Sequence, residues 1–166
     1  MKSFRGRVAA ITGAGSGIGR ALAVELAGRG CDLALSDINE IGLAETAERA
    51  RAAGVRVTTR RVDVADRAAV YAWADEVARD LGKVNLIFNN AGVALGATVE
   101  GARDEDLEWL MDINFWGVVH GTRAFLPHLK AAGEGHGVNI SSIFGLIGAP
   151  AQPAYNAAKS ALRGFT

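Results

Sequence analysis

The chain has 166 residues, about one domain's worth where domains commonly run to ~100–200. With 49% of its residues hydrophobic and 22% charged, it matches a globular composition and excludes a disordered or fibrous chain. Lys+Arg and Asp+Glu balance at 18 each, so no overall field favours nucleic acid or an anionic membrane, and a small-molecule partner is expected. The outlier is glycine: 21 residues, where an average usage of about 7% would place about 12, which marks a need for bare backbone. The single cysteine, Cys31, has no intramolecular partner and points to a reducing, cytoplasmic setting.

The first predicted element is a strand at residues 8–12, an apolar run too short for an export signal, and no later run reaches the ~18 uncharged apolar residues of a membrane span. A glycine-rich turn follows, then a helix over 18–29 with Leu22 and Leu26 four apart. Strands at 33–36, 55–60, 84–88 and 138–141 then alternate with helices at 41–53, 68–81, around 104–111, 115–130 and from about 153. Strands interleaved with helices imply βαβ crossovers, hence an α/β fold with a doubly wound parallel sheet, a Rossmann fold.

The turn reads Gly13-Ala14-Gly15-Ser16-Gly17-Ile18-Gly19. Its glycines let the backbone approach a pyrophosphate and aim the N–H groups of the helix start at the negative charge. Asp37 closes the second strand 18 residues past Gly19, near the ~20-residue spacing of an acid that accepts from adenosine ribose hydroxyls. A carboxylate there repels a 2′-phosphate, and Ser16 rather than a basic residue precedes Gly17, so NAD is favoured over NADP. The other reading of Asp37 is a cap for the helix that follows.

Late in the chain, Tyr155 and Lys159 stand four apart on one helix face. A phenol is a poor base near neutrality unless a fixed cation favours its phenolate, which is what this pair supplies; alone, such a pair is an ordinary solvated surface. Ser142, 13 residues before Tyr155, lies at the predicted end of a strand, where hydroxyls project into the ligand crevice of an α/β sheet.

Taken together, Thr12-Gly13 through Gly19, Asp63-Val64, Asn89-Asn90-Ala91-Gly92, Asn114, Ser142 and Tyr155 with Lys159 resemble the short-chain dehydrogenase/reductase family from the first strand onward. The resemblance implies an oxidoreductase moving a hydride between NAD(H) and a secondary alcohol or ketone. It implies Tyr155 as general acid/base, Ser142 orienting the substrate oxygen, and Lys159 holding the nicotinamide ribose and favouring the phenolate. It further implies Asn114 as a helix-interrupting residue in a proton relay, and Asp63 and Val64 at the adenine. Asn90, Ala91 and Gly92 would line the adenosine ribose, beside Gly13, Ser16, Gly17, Ile18, Gly19 and Asp37 at the rest of the nucleotide.

Relative to that family, residues 1–166 read as one NAD(P)-binding Rossmann-type domain, C-terminally incomplete after the fifth strand and the start of the next helix. A dinucleotide-binding module without turnover is therefore the second hypothesis, and epimerase or lyase chemistry with the same residues the third. The apolar stripe Phe115, Val118, Val119, Thr122, Phe125, Leu126 and Leu129 means core, and by resemblance also a homodimer or homotetramer contact through helices 115–130 and 153–166. His120, His128 and His136 lack metal-ligand spacing and are read as surface or packing residues, as are Trp73, Trp109 and Trp116.

Overall fold

The computed structural model describes Met1 and residues 3–166. Five strands form one sheet: β1 (Val8–Thr12), β2 (Asp32–Asp37), β3 (Val57–Arg61), β4 (Leu86–Asn89) and β5 (His136–Asn139). Every pairing is parallel, in the order β3-β2-β1-β4-β5. Six α-helices cross between and beyond them: α1 (Gly17–Gly28), α2 (Glu40–Arg51), α3 (Arg67–Leu81), α4 (Asp104–Met111), α5 (Gly117–Ala131) and α6 (Pro153–Phe165). This is the doubly wound Rossmann-like sheet expected from the alternating periods.

β1 lies at the centre with neighbours on both edges and helices over both faces, so all five of its residues are buried, and it reads as an unbroken apolar run. Its alternate side chains go to opposite layers. Val8 and Ala10 pack with Trp73, Val77, Ile87 and Phe125 beneath α3 and α5, while Ala9 and Ile11 pack with Leu26, Leu33, Leu35 and Leu43 beneath α1 and α2. Trp73 and Phe125 meet edge to face at 5.1 Å, joining α3 to α5.

Several boundaries shift by a residue or two from the periodicity, and three of the differences have a visible physical cause. β5 stops at Asn139 rather than at Ser141 because its only partner, β4, ends at Asn89; one more ladder bond, Ile140 N–H to the Asn89 carbonyl, closes the pairing. β3 runs two residues later than 55 because its register is set by Leu33↔Val57. The run from 104 to 131 is interrupted by a π-helical turn at Asp112–Trp116, a widening that places Asn114 inward.

Of the tryptophans, Trp73 is fully buried, whereas Trp109 and Trp116 are half exposed, Trp116 lying against His120. Val118, Val119, Phe125 and Leu129 of the α5 stripe are core, while Leu126 is 43% exposed. No helix among the described residues is long and apolar enough to cross a membrane.

Candidate functional site

The strand order reverses between β1 and β4, which leaves a crevice at their C-terminal ends. Thr12 ties the two strands there: its hydroxyl oxygen accepts from the N–H groups of Asn90 and Ala91, both at 3.0 Å, and its carbonyl accepts from Asn90 Nδ2 at 2.9 Å. The crevice of about 350 Å³ is lined by Gly13, Ser16, Gly17, Ile18, Asp37, Asp63, Val64, Asn90, Ala91 and Gly92, along with Ile38, Val62, Val93 and Ile113.

α1 begins at this crevice with Ser16 as its first flanking residue, and no side chain caps it. Its first N–H groups therefore remain available to an anion, with the positive end of the helix dipole behind them. Gly19 does not line the crevice. It is buried against the Gly13 carbonyl oxygen and Asn90 Nδ2, where an added Cβ would overlap the first and stand 2.6 Å from the second. Its bare backbone sets how closely α1 approaches the turn.

Asp37 is not the cap of α2; Asn39 is, its side chain accepting from Gly42 N–H at 3.1 Å. The Asp37 carboxylate instead accepts from Gly15 N–H at 2.8 Å and from Asn39 N–H at 2.9 Å, at the edge of the crevice. Asp63 accepts from Ala65 N–H, and the Val64 carbonyl lies 3.2 Å from His120 Nδ1. An anion-ready helix start, a glycine turn in close approach and two carboxylates in one crevice fit a dinucleotide.

α6 carries the second group of candidate residues. Lys159 is 4% exposed, yet no carboxylate among the described residues reaches it. Its Nζ donates to the Ile140 carbonyl at 2.8 Å and lies 5.6 Å from the centre of the Tyr155 ring. Burial holds its ammonium below the usual lysine range. Tyr155 is half-buried and meets Phe144 edge to face at 6.0 Å. Ser142 flanks a short 3-10 turn at Ile143–Gly145, its Oγ accepting from Phe144 N–H at 3.2 Å. Phe144 thus joins Ser142 and Tyr155.

Asn114 is fully buried and grips Val93 at two points: Oδ1 accepts from its N–H at 2.8 Å and Nδ2 donates to its carbonyl at 2.7 Å. Since Val93 lines the crevice and Lys159 Nζ lies 3.7 Å from where a Cβ on Gly92 would stand, the tyrosine–lysine pair and the nucleotide crevice adjoin across this strand end.

A buried cation without a counter-ion destabilises the fold. Lys159→Met is accordingly expected to leave resistance to urea unchanged or higher at neutral pH. Because the folded lysine has the lower pKa, the unfolded chain binds the extra proton between that value and about 10.4, and wild-type stability rises with pH through this window. The variant's advantage should shrink there; urea titrations at several pH values check it, and a variant less stable at every pH contradicts it.

Sequence spacing did not reveal Arg20, whose guanidinium ties the glycine turn to α2, nor the Thr12 clamp. It also missed two buried acceptors without partners among the described residues, Gln152 Oε1 and Asn156 Oδ1, which flank Tyr155 in sequence. The three histidines have mundane surroundings: His120 faces the Val64 carbonyl, His128 pairs with Asp75, and His136 is exposed at the start of β5.

The model of a family described as short chain dehydrogenase matches residues 7–166. A Mycobacterium tuberculosis protein named as an oxidoreductase, SadH, is 56% identical over 166 residues, which are 100% of this chain and 60% of that protein. Human epidermal retinol dehydrogenase 2 is 41% identical over 165 residues, 99% of this chain and 53% of that protein. A short chain dehydrogenase/reductase from Burkholderia phymatum, crystallised in complex with NAD, superposes with a TM-score of 0.96 at 43% identity, covering 99% of this chain and 59% of that one. The chain therefore spans between about half and three-fifths of the length of these proteins.

Proposed function

The chain belongs to the short chain dehydrogenase family, and from that premise we propose that it holds NAD(H) and the proton-transfer residues of an oxidoreductase acting on a secondary alcohol or ketone. The observation that carries this reading is the junction of two features: a crevice with an uncapped helix start and the Asp37 carboxylate at its edge, and beside it a buried lysine, without a counter-ion among the described residues, next to a tyrosine. The NAD complex of the Burkholderia phymatum protein supports the cofactor, and the alcohol named in the human relative, a primary one, supports hydride exchange with an alcohol in general.

In this reading the first N–H groups of α1, from Gly17 and Ile18, take the pyrophosphate, with Gly13 and Ser16 in the turn ahead of them and Gly19 letting α1 approach that turn. Asp37 takes the adenosine ribose, with Asp63 and Val64 at the adenine and Asn90, Ala91 and Gly92 along the ribose side. When bound, the nicotinamide supplies the hydride donor or acceptor. Tyr155 passes a proton to or from the substrate oxygen, and Lys159, its Nζ 5.6 Å from the centre of that ring, binds the nicotinamide ribose. Ser142 donates a hydrogen bond to the same oxygen and fixes its place. Asn114 uses its side chain on Val93, so its part in the relay is to hold that strand end and the π-helical turn in register with Lys159. Steady-state NADH formation with a panel of secondary alcohols tests the reading; NADH binding without turnover on any of them would favour the binding-module alternative.

The preference for NAD over NADP is supported by Asp37 and by a crevice lining that has no basic side chain among the described residues. Asp37→Ala is expected to weaken NADH binding by about tenfold, the scale of one charge-assisted hydrogen bond, while NADPH binding holds or improves. Parallel fluorescence titrations measure the ratio, and an unchanged preference would remove Asp37 as its source.

Two further assignments belong to this proposal. Trp109, Trp116, Leu126 and Phe165 expose apolar surface on α4, the π-helical turn, α5 and α6, which supports a homodimer or homotetramer through the helices at 115–130 and 153–166. A reducing, cytoplasmic setting is proposed on the single cysteine alone; Cys31 is buried, and its thiol is pushed up to about 12 by desolvation and the neighbouring Asp32 charge, so it is inert.

A further inference from the structure

Behind the glycine turn, on the side away from the crevice, Arg20 projects from the second turn of α1 and makes a closed set of bonds. Its Nη2 donates to the Gly15 carbonyl at 2.5 Å and to the Gly42 carbonyl at 3.3 Å, and stands 3.1 Å from Glu45 Oε2. Its Nε donates to Thr46 Oγ1 at 3.0 Å. Thr46 is fully buried and passes its own proton to the Gly42 carbonyl at 2.9 Å, so the hydroxyl has one orientation in which it can accept from Arg20.

Residue Gly15 is therefore held at both of its backbone polar groups. Its carbonyl is held by Arg20, and its N–H lies on Asp37 Oδ2 at 2.8 Å. The fit on α2 is tight as well, since a Cβ at Gly42 would come 2.5 Å from the Gly15 oxygen. Arg20 itself does not line the crevice and is about three-quarters buried, with its charge facing Glu45 and two carbonyls. It is not placed to receive a 2′-phosphate.

We propose that Arg20 is a positioning residue for cofactor choice: by pinning the Gly15 carbonyl to the first turns of α2, it fixes the Gly15 N–H against Asp37 and so sets where the carboxylate stands for a ribose. This rests on the NAD(H) reading above. Without the pin, the turn can drift and the carboxylate loses one of its two backbone donors. The free carboxylate then grips a ribose less well and opposes a 2′-phosphate less firmly. The consequence is selective, because a mere loss of packing would weaken both nucleotides alike.

The test is titration of wild type, Arg20→Met and Thr46→Val with NADH, NADPH and nicotinamide mononucleotide, read by fluorescence, with far-UV circular dichroism as the folding control. Arg20→Met is expected to raise the NADH Kd by about tenfold and the NADPH Kd by less than about threefold, so that the preference narrows, with nicotinamide mononucleotide unmoved. Thr46→Val, which is near-isosteric and keeps the guanidinium, should narrow it in the same direction by about threefold, and decides the matter if Arg20→Met does not fold. Equal weakening of NADH and NADPH, or no change in either, overturns the inference while leaving the NAD(H) reading standing. Failure of the wild-type chain to bind NADH removes both.

Discussion

Tyr155→Phe is expected to lower kcat by about 10³-fold, inside the ~10²–10⁴ that a positioned proton-transfer group contributes, while NADH affinity and thermal stability stay at wild-type values. The ring is kept, and with it the edge-to-face contact to Phe144 at 6.0 Å; only the hydroxyl is lost. No protein hydrogen bond is made by that hydroxyl among those found in the structure, so its removal leaves no orphaned partner and the fold has no reason to respond. Turnover of an alcohol identified in the substrate panel, measured beside a binding titration, separates the two effects. A kcat within a few-fold of wild type would move proton transfer to another group, and a parallel loss of NADH binding would make Tyr155 a structural residue.

Gly19→Ala carries the second large effect. The new methyl would overlap the Gly13 carbonyl oxygen and crowd Asn90 Nδ2, both held by other bonds: Asn90 donates to the carbonyls of Thr12 and Gly13. Neither neighbour is the free end of a flexible chain, so α1 must move away from the turn. Overpacking of this kind costs about 1–3 kcal/mol, and the displaced helix start should weaken NADH by about 100-fold or more. Thermal unfolding and NADH titration measure the two parts. Ile18→Ala, next to it but 62% exposed, should leave the melting temperature unchanged. If Gly19→Ala bound NADH normally, the close approach of α1 to the turn would have no bearing on the nucleotide.

The order of elements was legible chiefly where a strand carries its own apolar signal, as β1, β2 and β4 do and the edge strands β3 and β5 do not. β1 and β2 are buried on both faces, and residues 8–12 and 33–36 announce this without any long-range information. Where the reading overran, the missing information was the partner strand. Nothing in Val138 to Ser141 says that β4 ends at Asn89, and a strand stops where its ladder stops. The π-helical turn is similar: the pattern placed separate helices at 104–111 and 115–130, and nothing in it says that the chain stays helical and widens between them.

For the candidate site, spacing along the chain was informative where one element carries both groups, as with Tyr155 and Lys159 on α6, or where a single turn carries the chemistry, as between Gly13 and Gly19. It was silent where contacts join distant segments. Thr12 meets Asn90 and Ala91 across 78 and 79 residues, and Arg20 reaches Gly42 across 22. The same distance blindness left Asp37 with two roles, until Asn39 proved to be the cap and Gly15 the residue bonded to the Asp37 carboxylate. The burial of Lys159 was likewise invisible, since a lysine in a helix is ordinarily solvated.

The central claim is that the crevice between β1 and β4 holds NAD(H) through its adenosine ribose. Calorimetric titration of the chain with NADH, NADPH and ADP-ribose tests it most directly. One NADH per chain, tighter than NADPH and displaced by ADP-ribose, is the predicted result; no binding, or tighter binding of NADPH, would contradict it.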